Sequence, residues 1–204
     1  MSSSHALDEE LARAEMYGLL ARLFYQPPSP ELLAQLQVAV TEAPDAGGFL
    51  EASWQELVAA ARASDAAQIS AEFNSLFGGV GKPEVYLFGS HYLSGFLNEK
   101  PLVQLRDDLA ALGLTRNAQM SETEDHVAYL FEVMRFLIAG DDVALSNLTR
   151  QSEFFGRHVQ PWVGTLCQTL LGHPRARFYG CLAALTQAFM SVEAQGFDLL
   201  DGQA

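Results

Sequence analysis

Residues 121–139 read Ser-Glu-Thr-Glu-Asp-His-Val-Ala-Tyr-Leu-Phe-Glu-Val-Met-Arg-Phe-Leu-Ile-Ala, and this stretch decides the fold class. Val127, Leu130, Phe131, Met134, Leu137 and Ile138 recur at three- and four-residue spacing, the period of a helix with one buried face. Ser121 and Glu124 have the spacing of a capping box, in which the serine takes the third helical amide and the glutamate returns to the cap amide. Gly140 follows where a left-handed residue would end the helix. The spacing therefore predicts a helix over 121–139. The cap does not explain why three acids and a histidine crowd into one first turn. A helix start favours carboxylates, but a histidine cation prefers the other end. Glu122, Glu124, Asp125 and His126 thus form a polar cluster on a rigid element, the first candidate for function.

The helical period continues in both directions. Met16, Leu19, Leu20, Leu23 and Phe24 give a helix from about Ala6 to Tyr25, stopped by Pro27-Pro28. Ser29 and Pro30 supply an N-cap and a first-turn proline for a short helix through Leu32, Leu33, Leu36 and Val40. Residues 43–48 read as a loop, followed by a helix carrying Trp54, Leu57, Val58 and Ala61. Asp65 opens another, with Ile69, Phe73, Leu76 and Phe77 on one face. Further helices run from Ser90 to about Leu97, from Pro101 to a stop at Gly113, from Asp141 to His158, from Pro161 to Leu171, and from Arg175 to about Gln195. Residues 197–204 read as a loose tail. The only strand-like run, Glu84 to Phe88, has no partner. The fold class is all-α, a globular domain of nine to ten helices spanning 1–204, with a hinge near 113–120 expected if it divides into two sub-halves.

Composition narrows the function classes. Net charge is −13, from 25 acids against 12 Lys and Arg, which argues against nucleic acid, since phosphates demand a basic footprint. An acidic surface serves solubility and also attracts basic partners. No run of about 18 apolar residues exists to cross a membrane, and the N-terminus lacks the basic-then-apolar order of an export signal. A cytoplasmic location is expected, without stable membrane insertion. Cys167 and Cys181 lie isolated in apolar helical patterns and read as free thiols.

Catalytic motifs fail on inspection. Gly78 to Lys82 lacks phosphate-loop spacing, and Pro83 follows the lysine. His91, His126, His158 and His173 form no zinc-protease pair, and no nucleophile elbow is present. Neither a catalytic residue, a metal site nor a cofactor is expected. The irregular segment 78–90 is apolar around Val85, Tyr86, Leu87 and Phe88, and such loops either cover a core or line a binding site. Tyr86 and Phe88, with Tyr92 and the acidic helix start, would form a groove for an apolar and basic peptide.

Three blocks of residues together resemble the TorD/DmsD/NarJ family of molybdoenzyme-maturation chaperones, over roughly residues 70–165. Glu72-Phe73-x-x-Leu76-Phe77-Gly78 leads into the loop ending Leu87-Phe88-Gly89-Ser90-His91-Tyr92. Glu122-Thr123-Glu124-Asp125-His126 matches the family's Glu-Pro-x-Asp-His signature, with Thr123 where the family has proline. Gln151, Phe154, His158 and Trp162 match a third pattern. The resemblance implies an all-helical cytoplasmic chaperone, not an enzyme. Its partner would be the twin-arginine signal peptide, and the apo form, of a molybdopterin oxidoreductase catalytic subunit. It would delay export until cofactor insertion. The resemblance puts peptide binding on Ser90, Tyr92, Asp125 and His126, to which the residue chemistry adds Tyr86, Phe88, Glu122 and Glu124. Two alternatives stand beside this: a nitrate-reductase-type chaperone for a client that is not exported, and a small-molecule or nucleotide binder using the Asp125-His126 corner. Monomer and swapped dimer stay equally open.

Overall fold

A computed structural model describes residues 2–41, 48–78, 82–95, 97, 100–117 and 120–201. Among these, the chain is all-α: ten α-helices and one π turn, with no strand beyond a single antiparallel bridge between Phe88 and His126. The loop expected at 43–48 lies almost wholly outside the described residues, as do 79–81. Two compact units result, one of residues 1–25 and 87–162, the other of 26–86 and 163–204. The chain thus passes between units after Tyr25, Tyr86 and Trp162. The expected hinge near 113–120 is not where they divide, because residues 113–117 stay inside the first unit.

The first unit holds α1 (Ser2–Tyr25), α5 (Gly89–Ser94), α6 (Lys100–Ala111), α7 (Val127–Ala139), α8 (Leu148–Phe154) and a π turn (Phe155–Val159). Its centre is α1 against α7, the helix of the opening stretch. Phe131 on α7 is fully buried and packs between Tyr17 and Phe24 of α1, with ring centroids 5.7 and 6.2 Å away. Burying such a side chain contributes about 2–3 kcal/mol. Gly113, at φ +70, closes α6 in the left-handed conformation that its position after Leu112 implied.

The second unit holds α2 (Pro30–Val38), α3 (Glu51–Arg62), α4 (Ala66–Phe77), most of α9 (Gln160–Leu171) and α10 (Phe178–Asp201). Ser29 caps α2 through Leu32, and Asp65 and Gln68 form a reciprocal capping box on α4. Tyr179 at the head of α10 meets Phe73 and Phe77 of α4. The Glu72 carboxylate accepts from the amides of Arg177, Phe178 and Tyr179 at 2.8–3.2 Å, so α4 supplies the cap of α10.

Several boundaries differ from the sequence reading. Helix α7 begins at Val127, not near 121, and its N-cap is His126, whose Nδ1 accepts from the Ala128 amide at 3.2 Å. Ser121 and Glu124 form no capping box, because the backbone before α7 pairs with the loop at 87–89. Gly140 is extended (φ −71, ψ 150) and not left-handed. Its lack of a side chain serves packing: a Cβ there would lie 2.7 Å from the Phe136 carbonyl and against the Ser146 hydroxyl. Helix α8 starts at Leu148, capped by Asn147, because Asp142 ties residues 144–146 into a turn. Helix α10 continues through Asp201, with Phe197 buried, so the expected loose tail is helical at least that far; 202–204 lie outside the described residues. The segment read as two helices meeting near Pro161 is one continuous run. Pro161 has no amide to give the preceding turn, and the wider π turn, in which the Gln160 amide reaches Phe155, precedes it.

Candidate functional site

The site is built where two irregular segments meet. The Val127 amide donates to the Leu87 carbonyl at 2.8 Å, and the Gly89 amide to the Asp125 carbonyl at 2.9 Å. These bonds make the Phe88–His126 bridge and lay the loop before α5 along the turn before α7. The Asp125 side chain locks the pairing. Its Oδ2 accepts from the Ser90 amide at 2.9 Å and the Ser90 hydroxyl at 2.6 Å, while Oδ1 accepts from Thr123 Oγ1 at 2.6 Å. A carboxylate at the first turn of α5 is also well placed toward the helix dipole. Thr123, at the position where the resembled family has proline, holds this turn by a hydrogen bond.

Asp125 and His126 are therefore not presented to solvent; they are 3% and 4% exposed. The acid expected to receive a guanidinium directly is already satisfied by Ser90 and Thr123. Ser90 is buried with it, at 1%. Burial pushes the His126 imidazole down to about 4, against the opposing pull of the Asp125 charge. It is a neutral ring at neutral pH, and its Nδ1 is spent on the cap of α7.

What His126 does present is a wall of aromatic rings. Phe88 meets it edge-on at 5.1 Å, Tyr129 lies at 5.6 Å and Tyr25, the last residue of α1, at 6.2 Å. Tyr25 and Tyr129 also pack together at 5.6 Å. Tyr25 is 39% exposed, while Phe88 and Tyr129 are half-buried. Burial and the neighbouring Tyr25 push the Tyr129 phenol up to about 12, and the Glu122 charge adds to the rise. A cluster of rings with Tyr25 partly exposed and the Glu122 carboxylate nearby suits a planar cation as well as an apolar side chain.

The remaining expected residues are dispersed around this core. Glu122 is half-buried and accepts from the Ser121 hydroxyl at 3.2 Å. Glu124 accepts from Arg106 of α6 at 2.9 Å; desolvation opposes its charge, yet the Arg106 contact holds its carboxyl below the ordinary value. Tyr92 stacks on the buried Trp162 at 5.5 Å and 21°, with His91 edge-on to it. Tyr86 is half-buried and belongs to the second unit, whereas the other seven residues belong to the first. Tyr25, Tyr129, Arg106 and Trp162 are the members that sequence reasoning missed or took as core. Tyr129 stands three residues after His126, a spacing that puts both on one helix side; nothing local links Tyr25 or Arg106 to them.

The third block of the resemblance is structural in the same unit. Gln151 donates to the Leu137 carbonyl and accepts from Arg13. His158, in the π turn, contacts Asp108 at 2.6 Å, and Arg157 Nη1 donates to both oxygens of the same carboxylate. Among the described residues, no group of three or more His, Cys, Asp or Glu could hold a metal ion, and no helix is long and apolar enough to cross a membrane. Cys167 is buried and free, and burial pushes its thiol up to about 12; Cys181 is free and half-buried.

The span matched by a family model contains all three blocks. The family model described as nitrate reductase delta subunit matches residues 44–168. The chain is 24% identical to a protein named chaperone protein TorD from Aliivibrio fischeri, over 96% of this chain and 98% of the relative. It is 26% identical to the chaperone protein TorD of Vibrio cholerae, over 92% and 93% respectively.

Proposed function

This chain belongs to the nitrate reductase delta subunit family, and from that premise we propose that it is a cytoplasmic maturation chaperone for a molybdopterin oxidoreductase. It binds the twin-arginine signal peptide at the N-terminus of the apo catalytic subunit and delays export until the cofactor is in place. It acts by binding and carries no catalytic residue. The likeness to proteins named chaperone protein TorD over nearly the whole length supports the chaperone role. The observation that carries the peptide reading is the aromatic wall of Tyr25, Phe88, His126 and Tyr129, with Glu122 and Glu124 on the turn that precedes it.

The roles divide by burial. Tyr25, Phe88 and Tyr129 take apolar side chains or the face of a guanidinium, and Glu122 and Glu124 take its edge. Asp125, His126 and Ser90 act from beneath as positioning residues, fixing the loop that bears Phe88 against the turn that bears the acids. Tyr92, propped on Trp162, extends the apolar surface beyond that loop in sequence. Exposed ion pairs contribute only about 0–1 kcal/mol each. Apolar contact therefore supplies most of the affinity, and charge supplies specificity and on-rate.

A second reading is favoured by the family description itself, which names a nitrate reductase subunit: the client's N-terminus is bound but not exported. The nucleotide-binding alternative has less support, because the Asp125–His126 corner is buried and its carboxylate satisfied within the chain.

Calorimetry with a synthetic twin-arginine leader tests the proposal. The protein should bind it, Tyr25→Ala should weaken binding by about tenfold through loss of a ring contact, and Glu122→Gln should weaken it less. Binding of a non-exported N-terminal peptide with no response to the leader would favour the second reading. Indifference to both peptides would sink the chaperone site.

A further inference from the structure

The acids beside the aromatic wall are not equivalent, because one of them already holds an arginine. Arg106 leaves α6 and reaches across 18 residues of chain to place Nη2 at 2.9 Å from Glu124 Oε2. The guanidinium side is 48% exposed and the carboxylate side only 14%. That asymmetry is the geometry of a receptor and a ligand. The carboxylate is shielded on a turn pinned by the Thr123–Asp125–Ser90 bonds, while the arginine approaches on a long stem from the solvent side. One N–H···O contact joins them, where a guanidinium can offer two parallel bonds to a carboxylate.

The other arginine pairs differ in kind, the Arg175–Glu84 pair of the second unit joining two exposed side chains. Arg135–Glu132 and Arg150–Glu153 are three residues apart on one helix, with both partners about half exposed. Arg157 grips both oxygens of Asp108, which is shared with the buried His158, and so reads as a fixed structural joint. Arg106–Glu124 combines a shielded acid, a solvent-facing cation and a single bond, two residues from His126.

We propose that Arg106 is an internal occupant of the arginine seat: it holds the Glu124 carboxylate in the empty chaperone and yields it to an arginine of the client leader. The inference rests on the peptide-binding reading above and adds its mechanism. The seat is recognised by what sits in it, a guanidinium supplied by the chain itself. Exchange of one arginine for another keeps Glu124 paired throughout, so the shielded acid is not left uncompensated. It also sets a threshold. A leader with a lone lysine, a point charge without the planar fork, gains less from displacing Arg106 than one whose arginine can bond in parallel.

The test is the affinity of a twin-arginine leader, and of the same leader with both arginines changed to glutamine, for the wild-type protein, Arg106→Gln, Arg106→Gln with Glu124→Gln, and Arg135→Gln. The last removes one exposed positive charge elsewhere and controls for the overall field. Arg106→Gln should bind the twin-arginine leader about three- to fivefold more tightly than wild type, the range an exposed pair of this kind can supply. It should not change affinity for the glutamine leader, and the double variant should lose the gain. Removing Arg106 leaves the shielded Glu124 carboxylate without its partner, so Arg106→Gln should melt slightly below wild type while every variant stays folded at the temperature of the binding measurement. An equal gain in Arg135→Gln, a gain that survives removal of Glu124, or unchanged or weaker binding in Arg106→Gln would overturn the exchange while leaving the peptide site standing. No binding of the leader by any of the four proteins would remove the site itself, and the exchange with it.

Discussion

Asp125 and Ser90 are joined twice, the carboxylate Oδ2 accepting both the backbone amide and the hydroxyl of the same residue. The pair is buried, and the third bond to Asp125 comes from Thr123. A residue that the family resemblance marks for peptide binding is thus the pin that holds two loops together. In the proposed site its role is therefore to fix the loop carrying Phe88 against the turn carrying the acids.

Removing the pin should cost stability before it costs anything else. Asp125→Ala leaves a buried amide and two hydroxyls without their acceptor, a loss of about 2–4 kcal/mol. Urea unfolding measures it directly. Asp125→Asn retains one acceptor oxygen and should lose less. A change below about 1 kcal/mol in the alanine variant would show that the carboxylate is not what holds the loops.

His126 gives the fold an acid sensitivity with a defined sign. Its folded value is about 4 and its ordinary value about 6.5, so the unfolded chain takes up the proton more readily. The contribution is fully present above about pH 6.5 and is lost as pH falls toward 4, up to about 3 kcal/mol for a shift of this size. Protonation also fills the Nδ1 lone pair that caps α7. Asparagine at 126 keeps a cap acceptor and does not titrate. Stability measured at pH 7.5 and 4.5 should therefore fall less for His126→Asn than for wild type; equal falls would refute the buried-imidazole account.

Most of the helices were legible because each satisfies itself locally. The period of Val127 to Ile138, the Ser29-Pro30 start and the helix opened by Asp65 all survive in place. The start of α7 moved because distant partners set it. Ser121 and Glu124 carry a capping-box pattern, yet the turn they occupy is claimed by Ser90 and Leu87, more than thirty residues earlier, and by Arg106. The site was half legible for the same reason. Spacing put Asp125 beside His126 and Phe88 near Ser90. It had no means to bring Tyr25 to them from the end of α1, nor to show that the polar pair is buried.

Gly89 lies beneath the indole of Trp162, where a Cβ would come within 3.0 Å of Nε1 and 3.1 Å of Cε2. That indole is buried, donates to the His158 carbonyl at 2.7 Å and supports Tyr92. Gly89→Ala should push the ring off its site and destabilise the protein by about 1–3 kcal/mol, as overpacking does. Trp162 emission should shift to the red, and Tyr92 should lose its prop. A stable variant with unchanged fluorescence would mean that the ring accommodates a methyl group in place.

Glu72 carries the last prediction, because its carboxylate closes the head of α10 from another helix. Three amides, those of Arg177, Phe178 and Tyr179, point at its two oxygens. A helix start leaves such donors unpaired, and a carboxylate there meets both their hydrogen bonds and the helix dipole. Glu72→Gln keeps an acceptor oxygen but loses the charge and one oxygen, so it should cost about 1 kcal/mol; Glu72→Ala should cost about 2 kcal/mol. Because Tyr179 packs against Phe73 and Phe77 just beyond the cap, the loss should appear first as hydrogen exchange in the opening turn of α10. The amides of α7, in the other unit, should keep their protection. Uniform loss of protection along both helices would contradict a local cap and make Glu72 part of the global core.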